Sequence, residues 1–133
     1  MAIDRKTIVK QIFNDAYTPA TGWVSPVVDG YKEGACGEYC EFNPEKAKQL
    51  MSEAGYPDGF ELTLGTPNDR YINDEQVAQA VAQMLTRIGI RTKVDATTAS
   101  QFFSRRNALD YPAFLAGWGA ASGEMSSPLK SLV

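Results

Sequence analysis

The chain reads as an α/β domain built on a three-stranded, mostly parallel sheet with helices on its faces. Two patterns point there. Three apolar stretches with strand character alternate with stretches of helical spacing, in the order strand, helix, strand, helix, strand. Each of the two long helices closes on a glycine (Gly55 and Gly89) just before a strand pattern begins. Such an order needs crossover connections, which are right-handed in nearly all known sheets.

The elements follow in turn. Asp4 can cap a first helix on which Ile8, Val9, Ile12 and Phe13 share one face, ending near Asn14. From there to Glu41, Pro19, Gly22, Pro26, Gly30, Gly34 and Gly37 interrupt any regular element. So long an irregular stretch is unusual in a compact domain and reads as a wrapping or interface segment. Asn43 and Pro44 open a second helix, Asn as cap and Pro where its missing N–H costs nothing. Ala47, Leu50, Met51 and Ala54 keep its spacing, Gly55 ends it, and Pro57 bars continuation. Phe60, Leu62 and Leu64 alternate with Glu61 and Thr63 as a first strand.

The loop GTPNDRY leads to a third helix near Asp74–Ile88, with an apolar stripe of Val77, Val81, Met84, Leu85 and Ile88. Ile90, Thr92, Val94 and Ala96 form a second strand. Ser100–Asn107 reads as a short helix carrying Phe102 and Phe103. Ala113–Trp118 reads as a third strand, more continuously apolar and therefore expected at the centre of the sheet.

Composition narrows the function. With 133 residues, 44% hydrophobic and 22% charged, the chain is one globular domain able to bury roughly two-thirds of its unfolded surface. The net charge is −3 and the basic residues are scattered, unlike a nucleic-acid footprint. There is no histidine, which removes Ser-His-Asp and Cys-His catalysis and His-containing zinc sites. Cys36 and Cys40 cannot fill a zinc site alone. In the CGEYC loop they are either two thiols or a disulfide, which would imply an oxidising compartment. The helical AIDRKTIVKQIF directly after Met1 is not a secretory leader. A cytoplasmic protein would begin this way, and so would an excised piece with an added Met1.

Ligands of parallel sheets bind beyond the carboxyl ends of the strands, which here carry GTPNDRY, DATTAS and GWGAASGEM. Gly117 and Gly119 permit close backbone approach rather than cradle phosphate, and Trp118 between them reads as an exposed aromatic wall more than as core. Arg70, beside Tyr71, can clamp a carboxylate. The alternative is a surface ion pair with Asp69 or Asp74. Asp58 is a turn residue. Ser25, Ser122, Ser126 and Ser127 lack a base at recognisable spacing, and Glu124 alone makes a poor acid-base catalyst.

The ordered segments AIDRKTIV, FNPEKAKQLMSEAGYPDGFELTL, EQVAQAVAQMLTRIGI and GWGA resemble the extracytoplasmic solute-binding proteins of ABC importers. The likeness is to family 5, which includes dipeptide-, oligopeptide- and nickel-binding members. The resemblance implies one lobe of a type II periplasmic binding protein-like fold, whose two lobes close over ligand. The chain would be part of the C-terminal lobe: 1–42 a helix plus wrapping loop, 43–118 the α/β core, 119–133 a truncated tail.

It further implies a periplasmic protein; no cofactor is implied, no residue is assigned as a metal ligand, and the scattered basic residues speak against a nucleic-acid partner. Its partners would be a small-molecule or peptide ligand, the N-terminal lobe of the same full-length chain, and a membrane permease. Arg70, Tyr71 and Trp118 match family ligand contacts. The Asp that meets a peptide amino terminus three residues after that Trp is Ala121 here, with Glu124 nearby as its substitute. The runner-up is a small self-contained α/β enzyme with its site in residues 117–125. A third reading is a pure interaction module.

Overall fold

The structure is a computed structural model that describes residues 1–22, 24–119, 121–126 and 129–130. Strand β1 (Phe60–Pro67) lies between β2 (Ile90–Thr97) and β3 (Ala113–Phe114), and both neighbours run parallel to it. Its register with β2 holds over all eight residues, from Phe60 opposite Ile90 to Pro67 opposite Thr97. Helices α3 (Asp74–Arg87) and α4 (Ala99–Asn107) make the two crossovers, while α1 (Arg5–Phe13) and α2 (Pro44–Glu53) precede the sheet.

The central strand is therefore β1, and Ala113–Trp118 shrinks to a two-residue edge strand. Continuous apolarity suggested burial on both faces. Instead, Phe114 is 43% exposed and Trp118 49% exposed, so the run is surface rather than sheet core. Pairing to β1 ends after the Leu115 N–H donates to the Gly65 carbonyl at 2.8 Å. Strand β1 is covered on both faces only in its carboxyl half, where Leu64, Gly65, Thr66 and Pro67 are all buried.

Local chemistry explains the helix ends. The Asp4 carboxylate caps α1 by accepting from the Thr7 N–H (3.0 Å) and hydroxyl (2.6 Å). Asn14 ends α1 in the left-handed region, which Asn tolerates. The Asn43 side chain accepts from the Lys46 N–H at 3.0 Å to cap α2. At its other end the Gly55 N–H donates to Ser52 O and the Tyr56 N–H to Met51 O, satisfying carbonyls the helix leaves open.

Helix α3 and its C-terminal cap bury Met84 and Ile88 of the apolar stripe, and two alanines beside that stripe pack deeper still. Ala78 (0% exposed) and Ala82 lie deepest, whereas Val77, Val81 and Leu85 are only partly covered. Two alanines one turn apart let the helix approach the sheet closely, and the larger side chains flank that contact. On α4, Phe102 is wholly buried, stacked on Tyr111 with ring centroids 5.8 Å apart and edge-on to Phe114 at 6.2 Å. Arg105 joins this cluster to β2. Its guanidinium lies 4.4 Å from the Tyr111 ring centroid and donates to Asp95 at 2.7 Å.

The described residues between Asn14 and Phe42 lie largely at the surface and include the short 3-10 turn Gly37–Cys40. Cys36 and Cys40 are joined by a disulfide, their Cα atoms 5.5 Å apart. The Cys40 carbonyl accepts from the Arg5 guanidinium, which anchors this turn to α1. Asp29 pairs with the chain after Gly123: its N–H donates to Gly123 O at 2.9 Å and its carbonyl accepts from the Met125 N–H at 3.3 Å.

Candidate functional site

Because the three strands are parallel, their carboxyl ends share one edge of the sheet. Hydrogen bonds tie the three end loops together there. The Asn68 N–H donates to Thr97 O at 2.9 Å. The Asp69 carboxylate accepts from the Ala99 N–H at 2.6 Å, supplying the cap that Thr98 does not give α4. The Tyr71 hydroxyl lies 3.4 Å from the Gly117 carbonyl, and its ring packs on Gly117 so closely that a Cβ there would sit 2.9 Å from the ring. Tyr71 thus brings the loop after β1 onto the loop after β3, next to Trp118.

The central device is Asp74, the first residue of α3 and only 4% exposed. Its Oδ2 accepts from the Arg70 N–H (3.0 Å) and the Tyr71 N–H (2.9 Å), and its Oδ1 from the Glu75 N–H (2.9 Å). The carboxylate fastens the Arg70–Tyr71 backbone to the helix start. Burial pushes its pKa up, and the N–H donors of Tyr71, Arg70 and Glu75 outweigh burial, so it lies below its ordinary value.

A carboxyl held lower in the folded than in the unfolded chain adds stability above its unfolded pKa, and loses it as pH falls through the folded one. The melting temperature is accordingly expected to drop as the pH is taken through and below the ordinary carboxylate range. Asp74→Asn should drop less over the same interval, and parallel curves for the two proteins would contradict this role.

Asp69 and Asp74 were the two candidate ion-pair partners of Arg70. Both spend their carboxylates on backbone N–H groups instead. Among the described residues no carboxylate lies within 4.0 Å of the Arg70 guanidinium. That guanidinium is exposed, with Cζ 5.6 Å from the Tyr71 ring centroid. Among the described residues the edge therefore offers the Arg70 cation, the Tyr71 phenol and the Trp118 indole.

Glu124 is exposed, and the contacts that place it run to Asp29 in the wrapping segment rather than to the Tyr71–Gly117 pair. Ala121, Ser25, Ser122 and Ser126 are exposed, and Ser127 lies outside the described residues. Among the described residues no three Cys, Asp or Glu side chains converge to hold a metal ion.

Helix α1 and the segment after it reach this edge through residues for which the sequence suggested no ligand role. Val9, Phe13 and Tyr17 line an open groove of about 500 Å³ with Arg70, Tyr71 and Ile72. The available signal was Ile72 itself, a large apolar residue inside an otherwise polar loop and 69% exposed. A larger cavity of about 770 Å³ lies between the start of α1 and the disulfide turn. It carries both charge signs (Asp4, Arg5, Lys6, Glu33 and Glu41), and none of its lining residues comes from the strand-end loops.

Residues 1–133 match the family described as bacterial extracellular solute-binding proteins, family 5 Middle. The chain is 34% identical over 136 residues to the glutathione-binding protein GsiB of Salmonella choleraesuis (strain SC-B67), covering 98% of this chain and 26% of that protein. Thus it spans about a quarter of the length of the curated relatives it matches. Among solved structures it resembles the binding protein AgaA in complex with agropinic acid, from A. tumefacien R10. That match has a TM-score of 0.77 at 32% identity, over 87% of this chain and 23% of the other. The periplasmic binding protein DppA from Helicobacter pylori, in complex with the peptide STSA, aligns with a TM-score of 0.78 at 27% identity, over 90% of this chain and 22% of that one.

Proposed function

The chain belongs to the bacterial extracellular solute-binding proteins of family 5, and on that premise we propose that it forms part of the C-terminal lobe of a two-lobed receptor serving an ABC importer. Its mixed α/β architecture, with a parallel sheet flanked by helices, is that of the type II periplasmic binding proteins it resembles. The receptor captures a small carboxylate-bearing solute, such as a peptide, in the periplasm. It closes an N-terminal lobe over that solute by a hinge motion and delivers it to the membrane permease.

Arg70 holds the solute's anionic group, while Tyr71 and Trp118 supply stacking surface. The observation that carries this reading is the Arg70 guanidinium, exposed on the ligand edge while both neighbouring carboxylates are engaged elsewhere. The compounds named with the relatives point the same way: glutathione, a peptide and agropinic acid all bear carboxylates.

The protein binds rather than catalyses. It contains no histidine to activate a nucleophile, and the relatives named above are binding proteins. The runner-up enzyme is not favoured on these grounds.

Arg70→Ala is expected to weaken solute binding about tenfold to a hundredfold, the range for losing a charge-assisted hydrogen bond. Calorimetry with the solute that co-purifies, identified by mass spectrometry, measures the loss. An unchanged affinity would remove Arg70 from the site, and solute consumption during the titration would restore the enzyme reading.

A further inference from the structure

We propose that the groove between α1 and the β1–α3 loop is a subsite for a hydrophobic arm on the solute, adjoining the anionic group. This rests on the reading of Arg70 as the anion contact. The solute class is then an anion carrying an aliphatic or aromatic group, such as a carboxylate next to an apolar side chain.

Five of the six lining residues (Val9, Phe13, Tyr17, Tyr71 and Ile72) present apolar or aromatic bodies, and the sixth is Arg70. The Phe13 and Tyr17 rings meet edge to face with centroids 5.1 Å apart and form one wall. The opposite wall is the Arg70–Ile72 loop, held by Asp74 and joined to α1 where the Asn73 side-chain N–H₂ donates to Ile12 O at 3.4 Å. At the rim, Tyr17 and Ile72 are 53% and 69% exposed, an apolar surface with a cation at one end.

Charge decides the occupant. A neutral apolar group would cover Arg70 without compensating its charge, which is costly. A small hydrophilic anion would leave the Phe13–Tyr17 wall bare. An anion with an apolar arm satisfies both ends of the groove at once.

Calorimetry on the chain in the length its native cell makes tests this, with N-acetylphenylalanine, N-acetylglycine and N-acetylphenylalaninamide as probes. The first should bind roughly tenfold or more tightly than either of the others, in line with the gain from filling an apolar pocket and from pairing a charge. Tyr17→Ser and Ile72→Ser, both surface changes whose folding circular dichroism verifies, should erase the preference over N-acetylglycine while keeping carboxylate binding.

Equal affinity for the two acids, lost in Arg70→Ala, would overturn the subsite and leave the Arg70 reading standing. Binding of neither acid would overturn both. Concentration-dependent dimerisation that Ile72→Ser abolishes would assign the groove to a second copy of the chain and overturn the solute subsite.

Discussion

Gly59→Ala is expected to lower unfolding stability by about 4 kcal/mol, combining backbone strain with a steric overlap. Gly59 has φ +73°, a conformation that costs a residue with a Cβ roughly 1–3 kcal/mol. A Cβ there would also fall on the Gly89 carbonyl. That carbonyl cannot simply retreat, because it accepts from the Phe60 N–H at 3.3 Å, where the β1–β2 ladder begins. Two turns, one ending in Gly59 and the other in Gly89, cross in backbone contact at the amino ends of both strands. Urea unfolding measures the loss, and a change below about 1 kcal/mol, the size of an ordinary surface substitution, would mean the crossing yields easily. Since this crossing lies at the end of the sheet opposite Arg70, solute affinity per folded molecule should stay unchanged.

Asp74→Ala should cost about 3 kcal/mol, because three N–H groups lose their acceptor around a buried position. Unlike Gly59→Ala, it should also weaken solute binding, by about tenfold, because a small misplacement of contact groups costs binding strongly. Asp74 touches no solute in this reading; it positions Arg70 and Tyr71. Faster amide exchange at those two residues would separate positioning from a general loss of stability. Asp74→Asn, which keeps one acceptor oxygen, should fall between wild type and Asp74→Ala in both measurements. Intact affinity in Asp74→Ala would show that the loop holds its shape without the carboxylate.

Asp74 also marks how far the site could be read in advance. In the sequence it is an acidic residue at a helix start and a rival partner for the Arg70 side chain. Capping rules look forward along the helix, from a side chain to the N–H groups of the next turn. Asp74 does accept from Glu75, but its other oxygen reaches backward, to residues three and four positions earlier. That depends on the preceding loop folding over the helix end, which no local pattern encodes. Arg70 itself could be named from its position at a strand end. Whether its guanidinium was free to meet a solute depended on what Asp69 and Asp74 did with their charges.

The capping of α4 by Asp69 was not legible in the sequence, whereas the order and type of the elements, the caps at Asp4 and Asn43, and the stops at Gly55 and Gly89 all were. These depend on residues within a turn or two of one another, where side-chain chemistry and backbone preference act directly. Only the tertiary structure decided that β1 is central, that Ala78 and Ala82 form the deep face of α3, and that Tyr71 reaches Gly117 and α1 meets the Arg70 loop. Periodicity tells a segment which way its side chains alternate, but not which distant segment will cover them. Strand order and the shape of the ligand edge are set by contacts between residues dozens of positions apart, and those contacts exist only once the crossovers have brought the three strand ends together.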